Sequence, residues 1–117
     1  MNLFRSLQYL SMFRDKVPRD QPIMHSFMMG TSMALSPQDN VAVMSFMENE
    51  VIKLARRMKC HGILTTNTNP LTQQLAQKVY GYETIQDYQI NEFESNGKKP
   101  FGSAPDSYRA IVLYKTL

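Results

Sequence analysis

The chain is 117 residues long, with 13 basic and 10 acidic side chains and a formal net charge of +3. That length holds one domain with a modest core, and so slight a basic excess, with no basic stripe interleaved with aromatics, does not point to a nucleic-acid partner. A single cysteine, Cys60, excludes an internal disulfide framework and suggests a reducing, cytoplasmic setting.

Residues 2–14 put Leu3, Phe4, Leu7, Leu10 and Phe13 on one side of a predicted amphipathic helix. Arg5, Arg14 and Lys16 interrupt the apolar positions, so residues 1–16 read as neither signal peptide nor anchor. No apolar run approaches the roughly 18 residues that cross a bilayer, and no membrane partner is expected. Pro18 and Pro22 make residues 16–22 a loop. Residues 23–35 come close to apolar alternation and read as a strand, with Gly30 inside it at a bulge or a close backbone approach. All nine methionines fall in the first 58 residues, which ordinary core filling explains better than a dedicated binding surface.

Residues 36–40 read as a turn into a helix over residues 41–59, with Val43, Met44, Met47, Val51, Leu54, Ala55 and Met58 at helical spacing. Its last turn carries Lys53, Arg56, Arg57 and Lys59, charge that suits a helix C-terminus. Residues 62–66 form a strand around Ile63 and Leu64, and the polar run from Thr65 to Pro70 ends it. Asn69 caps a second helix whose first position is Pro70. Leu71, Leu75, Ala76 and Val79 form its apolar face, and Gly81 stops it in the left-handed conformation. Residues 84–93 and 108–115 alternate as strands and should pair antiparallel across the loop between them, which holds two glycines and two prolines. His25 and His61 share no ligand spacing with Cys60, so no metal is expected.

A strand whose carboxyl end runs into a capped helix makes a concave corner rich in N–H groups, where ligands sit in open sheets, although most such corners are only connections. Four stretches around and after this corner carry a resemblance. They are Ile63-Leu64-Thr65, Asn67-Thr68-Asn69-Pro70-Leu71-Thr72, Lys78-Val79-Tyr80-Gly81-Tyr82-Glu83 and Asn96-Gly97-Lys98-Lys99-Pro100-Phe101. From about Gly62 onward the chain resembles the C-terminal half of GNAT-superfamily acyltransferases, and among them the invertebrate arylalkylamine (dopamine) N-acetyltransferases. Tyr80 reads as a one-residue insertion in that pattern, and Tyr80 and Tyr82 as packing residues.

The resemblance implies an α/β (α+β) protein with a partial GNAT-like fold: a mixed sheet of about four strands, helices on both faces, and none of the usual N-terminal strands. The strands at residues 23–35 and 62–66 would run parallel around the helix of residues 41–59. It implies acetyl-CoA as co-substrate, with Met33, Ala34 and Leu35 giving backbone contacts to the thioester arm. Gln38, Val41, Ala42 and Val43 would lie at the pyrophosphate, and Asn69 joins the cofactor set. Valines 41 and 43 stand where the family has glycine or alanine, which implies weak binding. The two catalytic serines of the family correspond to Thr68 and Thr72. The implied function is acetyl transfer to a small amine; the alternative is a catalytically silent GNAT-like domain that binds a ligand or a protein. The bare edge of the strand at residues 23–35 implies self-association or completion by another chain.

Overall fold

The computed structural model describes residues 17–18, 20–26 and 30–117. The helix expected over residues 2–14 lies outside the described residues, as do Phe27, Met28 and Met29 of the expected strand. The elements are β1 (Ile23–Ser26), α1 (Pro37–Arg57), β2 (Gly62–Asn67), α2 (Pro70–Gln74), β3 (Glu83–Gln89) and β4 (Arg109–Thr116). A π-helical turn (Leu75–Val79) continues α2, and a 3-10 turn (Ile90–Glu92) follows β3.

Among the described residues the strands form one mixed four-stranded sheet in the order β1-β2-β4-β3, an α/β arrangement. β1 lies parallel to β2, with Met24 opposite Ile63, and α1 connects them as expected. β4 runs antiparallel to both β2 and β3, and the β3 ladder has an irregularity between Thr84 and Gln86.

Strand side chains alternate between faces. On one face Met24, Ile63, Ile111 and Leu113 meet Ile52 and Ala55 of α1, Ala76 of the π-helical turn, and Tyr82. Ile63 and Leu113 are fully buried, each contributing roughly 1.5–3 kcal/mol relative to exposure. On the other face Ile23, Leu64, Val112 and Tyr114 gather with Ile85 and Val17. Among the described residues, then, both helices cover the same face, where the resemblance implied helices on both.

Three boundaries differ from expectation. Among the described residues, the strand placed at residues 23–35 is strand over Ile23–Ser26, and Gly30 to Leu35 carry no strand pairing. There the chain turns instead: Leu35 N–H donates to the Ser32 carbonyl at 3.3 Å, and Thr31 Oγ1 donates to the Asn40 side chain. The residues read as a turn before α1 are its cap and first turn, because Ser36 Oγ accepts the Asp39 N–H at 3.1 Å and Pro37, which has no N–H to lose, opens the helix. The strand placed at residues 84–93 ends at Gln89, where the 3-10 turn begins. No helix among the described residues is long and apolar enough to cross a membrane.

Gly62 is required by close approach: a Cβ there would overlap the Tyr114 ring and the Lys115 carbonyl. Tyr114 in turn shares a 2.7 Å hydrogen bond with His61 Nδ1, and the two rings stack.

Candidate functional site

Because β1 and β2 are parallel, their carboxyl ends open at the same edge of the sheet, where a ligand meets side chains from both. A cleft of about 290 Å³ lies there. Ser26 comes to it from β1, Met44 and Glu48 from α1, and residues 65–69 from β2 and its turn. Thr72, Leu75 and Ala76 close it from the following helix, with Tyr80 and Tyr82 behind.

A set of local hydrogen bonds holds the turn in shape. The single Thr65 hydroxyl proton is shared between the Ser26 carbonyl and Asn67 Oδ1, both at 3.2 Å, which links the two strand ends. Asn67 Nδ2 donates to the Thr72 carbonyl at 3.3 Å. Asn69 Oδ1 takes the Leu71 N–H at 2.8 Å with Pro70 in the first helical position, so the cap is built as its sequence suggests. Gln73 is buried, and its Nε2 donates to the carbonyls of Asn67 and Arg109, both at 2.8 Å.

The helix then widens. Tyr80 N–H donates to the Leu75 carbonyl at 3.1 Å and Tyr82 N–H to the Ala76 carbonyl at 2.9 Å, while Gly81 takes φ +69°. A π-helical turn carries one residue more per hydrogen-bonded ring than an α-turn. Here it delivers both tyrosines to α1. Tyr80 Oη donates to the Ser45 carbonyl at 3.2 Å, and Tyr82 Oη donates to Glu48 Oε1 at 2.5 Å. Both tyrosines pack against the core as expected, and both also line the cleft. Burial first, then the hydrogen bond and negative charge of Glu48, push the Tyr82 phenol far above its ordinary value, so it remains a donor.

Among the described residues that line the cleft, Glu48 is the only charged side chain, and none is lysine, arginine or histidine. Lys115, close to both tyrosines, gives its ammonium to the Tyr80 carbonyl at 2.5 Å. The cleft is therefore anionic, with an apolar floor at Met44, Leu75 and Ala76 and a rim of hydroxyls.

Of the residues expected at a site, Thr68, Asn69 and Thr72 come together at the cleft. Thr68 and Asn69 are exposed, and Thr72 Oγ1 donates to the Asn69 carbonyl at 2.9 Å. Met33, Ala34, Leu35, Gln38, Val41, Ala42 and Val43 do not line it; Leu35 and Val41 are half-buried and the others exposed. Glu48, Gln73 and the role of Tyr82 were not anticipated. One signal was present: Glu48 lies four residues from Met44 and four from Ile52, a carboxylate set within the buried stripe of α1.

No protein-family model matches the chain. It is 56% identical over 94 residues to the beta-alanyl-bioamine nonribosomal peptide synthetase ebony of Drosophila melanogaster, a match covering 80% of this chain and 11% of that protein. A solved structure, the C-terminal condensation domain of Ebony in complex with beta-alanyl-dopamine, matches at TM-score 0.81 and 49% identity, covering 97% of this chain and 55% of that one. The chain thus spans about half the length of the solved relative and a small part of the synthetase.

These matches correct the expectation of a GNAT acetyltransferase. Acetyl transfer from acetyl-CoA, acetyl-CoA as co-substrate, and the silent GNAT-like alternative all rested on that resemblance and are replaced. The features that carried it, a capped helix after a strand and a glycine stop, are backbone devices that fix where a ligand sits without fixing which acyl group is used. The homologues of this chain are the C-terminal condensation domain of a nonribosomal peptide synthetase, not an N-acetyltransferase.

Proposed function

We propose that this chain forms part of a condensation site that joins a β-alanyl group to a small arylalkyl amine, with the cleft holding the β-alanyl amide. The observation that carries this reading is 49% identity, over 97% of the chain, to a domain solved with beta-alanyl-dopamine. The cleft agrees in chemistry. Its anionic, hydroxyl-rimmed interior suits a neutral amide bearing one ammonium and a phenolic ring.

Amide formation requires an amine freed of its extra proton, donors for the oxyanion that forms on the activated β-alanyl carbonyl, and a proton for the leaving group. Thr68, exposed at the rim, is the proposed donor to the reacting carbonyl. Thr72 is proposed to assist by turning its hydroxyl from the Asn69 carbonyl toward the substrate. Of the residues expected at a cofactor, Asn69 lies at the cleft, while Met33, Ala34, Leu35, Gln38, Val41, Ala42 and Val43 have no role in this reading.

A thermal-shift titration tests it. A ligand that binds only the folded state raises the midpoint, by about 2.7 kcal/mol of stability at a hundredfold excess over its dissociation constant. Beta-alanyl-dopamine is expected to do so, and dopamine or β-alanine alone to do so less. A cooperative melt that millimolar conjugate leaves unmoved overturns the reading.

The finer assembly is proposed with it. Among the described residues β1 is an edge strand with one neighbour, β2. We propose that its outer backbone groups pair with a further strand, from a second copy or another chain, within one cooperative domain. Sedimentation at low micromolar concentration is expected to show association; a compact monomer that melts cooperatively would exclude it.

A further inference from the structure

We infer that Glu48 reads the primary ammonium of the β-alanyl group, which makes the cleft selective for aminoacyl over plain acyl conjugates. The inference rests on the proposed function and extends it from a ligand class to the group that recognises it.

Charge accounting leads to it. In a β-alanyl amide of an arylalkyl amine, the aryl-side nitrogen has become an uncharged amide, and the β-amino group is the one cation left near neutral pH. Among the described residues that line the cleft, one side chain is charged, Glu48. Among the described residues Glu48 takes part in none of the ion pairs; Lys53 pairs with Glu50, Lys99 with Glu94 and Arg109 with Asp87.

The carboxylate is also held in place. Tyr82 Oη occupies Oε1 at 2.5 Å, and Tyr82 is itself buried in the core, so its side chain has little freedom to swing away. Among the described residues Oε2 accepts no hydrogen bond, and it is left to accept from a ligand. Glu48 is half-buried, which screens a salt bridge less than bulk water does and strengthens the attraction for an ammonium. Met44, one helical turn away, and Leu75 give the two methylenes of the β-alanyl group an apolar surface. The chemistry of discrimination follows: an acyl group of equal length without the amine would cover the carboxylate and leave it unpaired, and sites built to pair a polar group reject analogues that lack it.

The test is calorimetric titration of the protein with beta-alanyl-dopamine and with N-propionyl-dopamine, which has the same chain length and no amine. The unmodified protein is expected to bind the first at least tenfold more tightly. Glu48→Gln should lose that preference while binding the propionyl conjugate about as well as before. Tyr82→Phe, which keeps the carboxylate, should retain most of it. Should Glu48→Gln fail to fold, the two conjugates and glycyl-dopamine, shorter by one methylene, still decide the matter on the unmodified protein, with the glycyl conjugate expected to bind more weakly. Equal affinity for the β-alanyl and propionyl conjugates, or a preference that survives Glu48→Gln, overturns the inference and leaves the proposed function standing. Failure of both conjugates to bind overturns both.

Discussion

The side-chain amide of Gln73 donates to the main-chain carbonyl of Asn67 at 2.8 Å, from the second helical turn back to the last residue of β2. The same nitrogen reaches the carbonyl of Arg109, the first residue of β4, also at 2.8 Å. One buried side chain thus satisfies two strand-end carbonyls and fixes the turn that carries Thr68 and Asn69. Gln73→Ala would leave both carbonyls, on half-buried residues, without that donor. We expect a loss of about 2–3 kcal/mol, read as a lower urea midpoint. A variant within about 0.5 kcal/mol of the parent would mean that water or another group takes over both bonds.

Gly62 carries a second expectation. Its missing side chain is what lets Tyr114 lie across β2 and reach His61. Gly62→Ala must push the Tyr114 ring away or displace the Lys115 carbonyl, and overpacking of this kind costs roughly 1–3 kcal/mol. The predicted outcome is a lower melting midpoint together with a change in the near-ultraviolet signal of the tyrosines. An unaltered melt would show that the strands can spread at no cost.

Much of the architecture follows from local signals. Asn69, Pro70 and Gly81 mark the corner that becomes the cleft, and the apolar spacing of α1 marks the helix between two parallel strands. Periodicity failed where polarity and burial part company. Val43, Leu54, Met58 and Val79 sit in apolar patterns yet are exposed, while Gln73 is buried and Glu48 faces the cleft. What sets the inward face of the second helix is the need of two strand-end carbonyls for a donor, and a hydrophobicity pattern does not record that need. From Gly30 to Leu35 the chain lacks strand pairing, since alternation states a preference for an extended chain but supplies no partner. The acyl group was illegible for a related reason: the corner is a property of the backbone, and the specificity we propose depends on a side chain, Glu48, that reaches it from another helix.

Thr68 and Thr72 are tested by removing only the hydroxyl. Thr68→Val and Thr72→Val are each expected to weaken binding of beta-alanyl-dopamine about three- to tenfold, the worth of one neutral hydrogen bond. Thr72→Val should also lower stability slightly, because its bond to the Asn69 carbonyl is lost, whereas Thr68→Val should leave the melt in place. Unchanged affinity in both folded variants would remove the pair from the site.

Tyr82 makes a prediction about pH. Burial, the hydrogen bond to Glu48 and the charge of Glu48, in that order, hold its phenol well above the usual tyrosine value. Burial pushes the Tyr114 phenol the same way, with a further contribution from Cys60. Below about pH 10 both phenols keep their protons whether the chain is folded or not, and they add no pH dependence. Above it the unfolded chain releases protons that the folded chain retains, so the folded state binds more protons and stability must fall as pH rises. Urea midpoints measured from about pH 8 to about pH 11 should therefore decline for the parent protein. Tyr82→Phe should start lower, by about 1 kcal/mol for the lost bond to Glu48, and then decline less steeply. The remaining slope belongs in part to Tyr114, which is present in parent and variant alike. The difference between the two curves therefore isolates Tyr82: parallel curves would show that its phenol titrates as freely in the folded protein as in the unfolded chain, and that the contact with Glu48 does not hold the cleft together.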